Sequence, residues 1–238
     1  EQDTNAGYPR WVKQARSEAL QKFLDEGFPN VKLENWRYTN LAPMAERIGA
    51  AVGKPVRSAE PLLPATDADG ITLVFVNGLF SPKRSTRKPL PAGVMIGNLA
   101  SQLENETNNN LLSVMPNNSS LAQLNSAMVS DGAVLRVPDN TELPNAVHIV
   151  YTNTTAANVF PRLTVQLGRN AKATVIEHHI SNGPSISTAV TNLECAAGAQ
   201  LRYQKLQEEA PESYHVAVQN ISLAQDARCD IVNIDLGA

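Results

Sequence analysis

A chain of 238 residues, 42% hydrophobic, carries enough apolar material for one or two domains with sizeable cores. With 20 basic and 23 acidic side chains, net −3, it has no strong field to attract nucleic acid or an anionic membrane. Aromatics, at 5%, are thin for base stacking. Two cysteines, Cys195 and Cys229, make no disulfide framework. No basic-then-apolar leader opens the chain and no apolar run approaches the ~18 residues of a membrane helix, which points to the cytoplasm. Asparagine runs (108–110, 117–118) make the sequons at Asn105, Asn118, Asn153 and Asn220 read as chance.

Pro9 to Asp25 predicts an amphipathic helix. Trp11, Ala15, Ala19 and Phe23 recur every four residues, with Val12, Leu20 and Leu24 widening the stripe. Pro9 suits the first turn, and Gly27 then Pro29 stop the helix. Phe28 to Thr39 follows. Its Trp36, Arg37 and Tyr38 suit either a ligand or a folded-over loop, with Trp36 as anchor and Arg37 paired to an acid; the loop is the simpler reading. Ala51 to Asp69, rich in Pro and Ala, reads as a connector.

Ile71 to Val76 is a β-branched and aromatic run closed by Asn77-Gly78, a strand and tight turn. Lys83, Arg84, Arg87 and Lys88 form a basic loop, read as solvated rather than as an anion patch. Leu121, Leu124 and Met128 mark a short helix that Ser119 or Ser120 is placed to cap. Asp131-Gly132 then turns the chain into an alternating strand, Ala133 to Pro138.

From Leu163 onward the sequence repeats every 28 residues. Val165 falls on Leu193 and Ile221, Leu167 on Cys195 and Leu223, Ala173 on Leu201 and Cys229, and Val175 on Tyr203 and Ile231. Polar residues intervene: Gln166, Glu194 and Ser222; Thr174, Arg202 and Asp230. Alternation at period two inside a fixed repeat, with a small-residue turn at 168–171, 196–199 and 224–227, predicts stacked strands around one core. A parallel β-helix explains the long period better than an antiparallel meander. The chain thus divides into an N-terminal helical and mixed domain, 1–130, and the first coils of a β-helix core, 131–238. Its end falls partway through a coil and reads as a truncation.

The repeat places Cys195 and Cys229 among core hydrophobes rather than metal ligands. His178 aligns with Leu206 and Ile234, so it points inward or sits at a corner; His179 aligns with Gln207 and Asp235, so it faces solvent. His215 aligns with Ser187 and carries no special signal. No column stacks acids, and no nucleophile elbow, phosphate loop, zinc spacing or dinucleotide fingerprint occurs. No catalytic, cofactor-binding or metal residue is assigned.

Four stretches resemble the SufB/SufD family of iron–sulfur cluster assembly proteins, more on its SufD side: Glu34 to Thr39; Leu73 to Gly78; Leu124 to Ala127 followed by Asp131-Gly132 and Val134 to Pro138; and Ala173 to His178. The resemblance implies a helical N-terminal domain on a right-handed parallel β-helix. It also implies a non-enzymatic scaffold subunit of the SUF machinery that acts with SufB-like and SufC-like subunits, the ATPase SufC meeting a C-terminal region absent here. A homodimer is a further assembly. The cluster is handled by the full complex, with none bound by this stretch. Two rival functions are a carbohydrate-active β-helix enzyme and a solenoid that only mediates protein contacts.

Overall fold

The computed structural model describes residues 7–50, 60–67, 69–86, 88–105, 110–113, 119–154 and 157–237, with no side-chain placement at 49 and 50. Most of the 51–69 connector, the asparagine runs except Asn110, part of three sequons, Arg87 and Ala238 lie outside them.

Helix α1 (Arg10–Glu26) ends where Gly27 takes a φ of 70° and returns its N–H to the Phe23 carbonyl. Its buried line is Val12, Arg16, Ala19 and Phe23. The wider stripe predicted through Leu20 and Leu24 is not used: they are 40% and 63% exposed. α1 packs chiefly against α4 (Ser120–Met128), with Val12 reaching Leu99, Leu103 and Val134 and Phe23 reaching Leu41 and Met44, and none of these partners lies over Leu20 or Leu24. Arg16 is buried because its Nη2 donates to the carbonyl of Val129, which ends α4. The serine cap predicted for α4 does not form. Ser119 occupies the cap position without a side-chain bond, and the Ser120 hydroxyl donates to the Gly27 carbonyl instead, fastening α4 to the end of α1.

After α1, Glu34–Trp36 form one 3-10 turn, and Trp36 packs against the cluster around Phe23, Leu41, Met44 and Leu121. Arg37 lies over the exposed Tyr38 ring rather than beside an acid. The short helix α2 (Ala42–Ala50) follows. In the basic loop, Arg84 pairs with Glu60 and Lys88 with Asp69.

Strands β1 (Ile71–Val76) and β2 (Leu79–Phe80) form a hairpin whose turn, Asn77 and Gly78, has positive φ at both residues. Strand β3 (Met95–Asn98) and helix α3 (Leu99–Leu103) lead by way of α4 to β4 (Ala133–Val137). The chain then winds through β5 (Val147–Asn153), the two-residue β6 (Asn158–Val159), β7 (Arg162–Leu167), β8 (Lys172–Ser181), β9 (Ile186–Cys195), β10 (Gln200–Glu208), β11 (Tyr214–Leu223) and β12 (Arg228–Asp235).

From β7 onward successive strands enter opposite sheets, ordered β12-β10-β8-β5-β1-β2 and β11-β9-β7-β4-β3, with β6 also pairing β9. The pairs that stack one coil on the next are parallel, so the predicted parallel β-helix is present as about four two-strand coils. The predicted columns are the observed register: Val165 pairs with Leu193 and Leu193 with Ile221, while Val175 pairs with Tyr203 and Tyr203 with Ile231. The turns stay in register too. Asn170, Gly198 and Asp226 all have positive φ, and each of the first two donates its N–H to the turn of the following coil. The first coil is two residues longer. Glu142 bridges Lys172, but Val147 already pairs with Val175, so the extra length lies at Leu143–Ala146.

One core runs between the sheets through Leu73, Phe75, Leu135, Ile149, Val165, Leu193, Leu201 and Tyr203. The N-terminal region shares these sheets: β1 adds in parallel to β5, and β3 lies antiparallel to β4, covering the first coil's edges. Helix α4 lies over the outer face of the second sheet, where Asn125 Nδ2 donates to the carbonyls of Pro161 and Thr188. The Arg162 guanidinium, 1% exposed, donates to Asn125 Oδ1, Ser126 Oγ and the Ser113 carbonyl. Burial alone lowers its pKa to about 10.

Candidate functional site in the solenoid bore

Successive side chains on a strand point to opposite faces. Counting in twos from the core residues Ala173 and Val175, the inward set of β8 continues as Glu177, His179 and Ser181. On β10, Leu201 and Tyr203 are followed by Lys205 and Gln207; Glu209 comes next. All are buried. The bore is therefore apolar near the Gly168, Ala196 and Ala224 turns and polar where β8 and β10 end. His215 and Gln219, two residues either side of Ala217 on β11, belong to the polar part.

Glu177 is 1% exposed and fully engaged. Its Oε1 lies 2.9 Å from His179 Nε2, and its Oε2 accepts from Thr191 Oγ1 at 2.9 Å and Tyr203 OH at 2.5 Å. Burial pushes its carboxyl up, but His179, Tyr203 and Thr191 outweigh this and hold it below the usual range. The Tyr203 phenol is pushed far upward by burial and by the Glu177 charge, so it serves as a donor. The Tyr151 ring stacks on His179 with centroids 5.1 Å apart.

Glu209, also 1% exposed in its side chain, forms a second centre. Its Oε2 accepts from Gln207 Nε2 at 3.1 Å and lies 2.9 Å from His215 Nδ1. That histidine contact is close but poorly aligned, so neither ring nitrogen of His215 has a directed partner, and Glu209 Oε1 has none. Burial raises the Glu209 carboxyl, and His215, His179 and Gln207 together bring it below its ordinary value. Burial lowers the His215 pKa against the opposing pull of Glu209. The His179 and His215 rings meet edge to face at 4.6 Å, and one donor atom from each of His179, Glu209 and His215 lies within 4.8 Å of the others.

These positions correct the sequence reading of the histidines. His179 does not face solvent: it is 1% exposed and inside the bore. His178 is on the outward side of β8, 6% exposed, with its Nε2 3.3 Å from His148 Nδ1. His148 Nε2 in turn lies 3.4 Å from Asp67. Burial first, and the neighbouring histidines second, lower His178 to about 4. His215, without signal in the sequence, has a side chain only 7% exposed, set against Glu209. The reasons differ. His179 is read outward from its polar equivalents Gln207 and Asp235, His178 inward or at a corner from the apolar Leu206 and Ile234, and His215 is given no face, whereas strand parity sets the face. Counting in twos from Ala173 and from Ala217 was the available signal. Cys195 is in the core, and burial, then Cys229, raise its thiol to about 11. Cys229 packs against the same core.

The fold and site together define a class: a two-sheet parallel β-solenoid with a polar bore, its first edges covered by a helical N-terminal region. Two family models cover the chain in that order. The SufBD protein N-terminal region matches residues 1–48 and 64–149, and the SufBD core domain of SUF system FeS cluster assembly matches 149–238. The chain belongs to the SufBD family of the SUF iron–sulfur cluster assembly system. It is 29% identical over 230 residues to an iron–sulfur cluster assembly SufBD family protein of Synechocystis sp., covering 88% of this chain and 50% of that protein. It is 28% identical over 226 residues to the iron–sulfur cluster assembly protein SufD of Escherichia coli, covering 87% and 49%. The chain thus spans about half the length of the curated relatives it matches. Among the described residues no helix is long and apolar enough to cross a membrane.

Proposed function

We propose that the chain is part of a SufD-like scaffold subunit of the SUF machinery, working in the cytoplasm with SufB-like and SufC-like subunits. The observation that carries this reading is the match of both family regions, in order, onto a chain whose structure has the corresponding helical region and parallel coils. The role is architectural rather than enzymatic. The described residues hold a rigid, register-locked stack, and the cysteine at its core is a buried, protonated thiol unsuited to nucleophilic attack. The iron–sulfur cluster is cargo of the assembled complex in this reading, not a resident group of these coils. The test is affinity purification of the full-length protein from its own cells. Co-purification with a SufB-like subunit and an ATPase, and loss of iron–sulfur enzyme activities on deletion, are expected. A full-length protein that captures no ATPase subunit, or a deletion without effect on those enzymes, would overturn the assignment.

A further inference from the structure

Buried polar groups in native proteins are almost always paired, and an orphan marks strain, a water or an ion. In the bore three orphans converge. Glu209 Oε1 and His215 Nε2 lack partners, His215 Nδ1 has only its poorly aligned 2.9 Å contact with Glu209 Oε2, and beside them stands His179, whose Nε2 meets Glu177. These residues come from three places in the winding: β8, the residue after β10, and β11. We propose that His179, Glu209 and His215 bind one divalent transition-metal cation of borderline softness.

Two imidazoles and one carboxylate suit zinc, iron(II) or cobalt(II), whereas magnesium and calcium seek oxygen-only sites. The donors lie within 4.8 Å of one another. Contacts of about 2.1 Å to a central cation require them to close to roughly 3–4 Å, which side-chain rotation supplies. The surrounding groups are those that tune a metal site. Glu177 holds His179 by Nε2 and fixes its tautomer, and is itself held by Thr191 and Tyr203. Gln207 donates to Glu209 Oε2, which leaves Oε1 as the ligand oxygen. Charge balances as well: the carboxylates of Glu177 and Glu209 offset a dication. A bound cation would join three successive coils. The inference does not rest on the scaffold role, because its readout is cation binding alone.

The test is equilibrium dialysis of the untagged, chelator-treated protein against zinc, anaerobic iron(II) or magnesium, with a cobalt(II) titration followed in the visible. Expected are one equivalent of zinc or iron(II), no uptake of magnesium, cobalt d–d bands without a thiolate charge-transfer band, and a zinc-dependent rise in melting temperature. Glu177→Gln should weaken binding roughly 10–100-fold, and Glu209→Gln or His215→Gln by more. His178→Gln, on the other face of the sheet, should keep it. Each variant is checked for folding by circular dichroism; if one unfolds, the wild-type stoichiometry, cobalt spectrum and thermal shift still decide. Uptake well below one equivalent by the folded wild type, magnesium bound as tightly as zinc, a thiolate band, or undiminished binding in folded His215→Gln would each overturn the site.

Discussion

Leu193 offers a direct measure of what holds the coils together. Its side chain is fully buried, paired in register with Val165 on one side and Ile221 on the other. Leu193→Ala removes three carbons from a column whose neighbours are fixed by sheet hydrogen bonds and cannot collapse into the space. The cost is the lost transfer free energy plus a cavity term, about 3 kcal/mol. For a chain of this size that lowers the melting temperature by roughly 6–12 °C. Leu193→Asp adds an unpaired buried carboxylate and should cost more. The next residue, Glu194, is exposed and accepts from Gln166, so Glu194→Ala should cost about 0.5 kcal/mol or less. Urea and thermal melts followed by circular dichroism give both values. Hydrogen exchange should localise the Leu193 loss to the coils of β9–β12, because repeats couple mainly to their neighbours. Equal costs at 193 and 194 would refute the inward and outward assignment on which the bore rests.

Three further outcomes follow from the same geometry. Gly198→Ala meets both a φ of 69° and an Asn170 Oδ1 atom 2.3 Å from the new Cβ, and should cost about 1–3 kcal/mol in a urea melt; a neutral result would contradict the tight turn stack. Arg162→Met strips three acceptors, Asn125, Ser126 and the Ser113 carbonyl, of their buried donor and should destabilise by about 3 kcal/mol; a neutral or stabilising result would mean that the packing of α4 does not depend on it. Cys195, its thiol raised to about 11, is almost wholly protonated at neutral pH, and its thiolate fraction grows as pH rises toward that value. Alkylation of the native protein near pH 7.5 should leave it unmodified until urea is added, with half-buried Cys229 reacting first; Cys195 reacting at the rate of a free thiol would count against its burial.

The architecture was legible in the sequence because a solenoid repeats its physics. Each coil needs an apolar residue over the apolar residue of the coil before, so columns such as Leu167, Cys195 and Leu223 follow from periodicity alone and reappear as strand pairs. The core is read from residue 131 and Ala133 to Pro138 as a strand, but the repeat itself is read only from Leu163, because two extra residues at Leu143–Ala146 shift β4 out of the 28-residue spacing that β5 keeps. Nor did hydropathy reveal that β1, far upstream, extends the same sheet, since a strand's partner is chosen by chain path.

Strand parity turns certain polar residues inward, but tertiary structure alone decided which partners meet them there. Glu177, His179 and Glu209 look like surface residues by chemistry, and they are buried because strand parity turns them into the bore, where Tyr203, Thr191 and Gln207 replace the lost water. Arg16 and Arg162 likewise look exposed by composition and are buried because each finds acceptors at the ends or side of α4. Apolar periodicity is a one-dimensional signal, set by the rule that each coil covers the last. The pairing that permits a buried charge is three-dimensional: its partners lie on other strands, tens of residues away, and only the closed winding brings them within bonding distance.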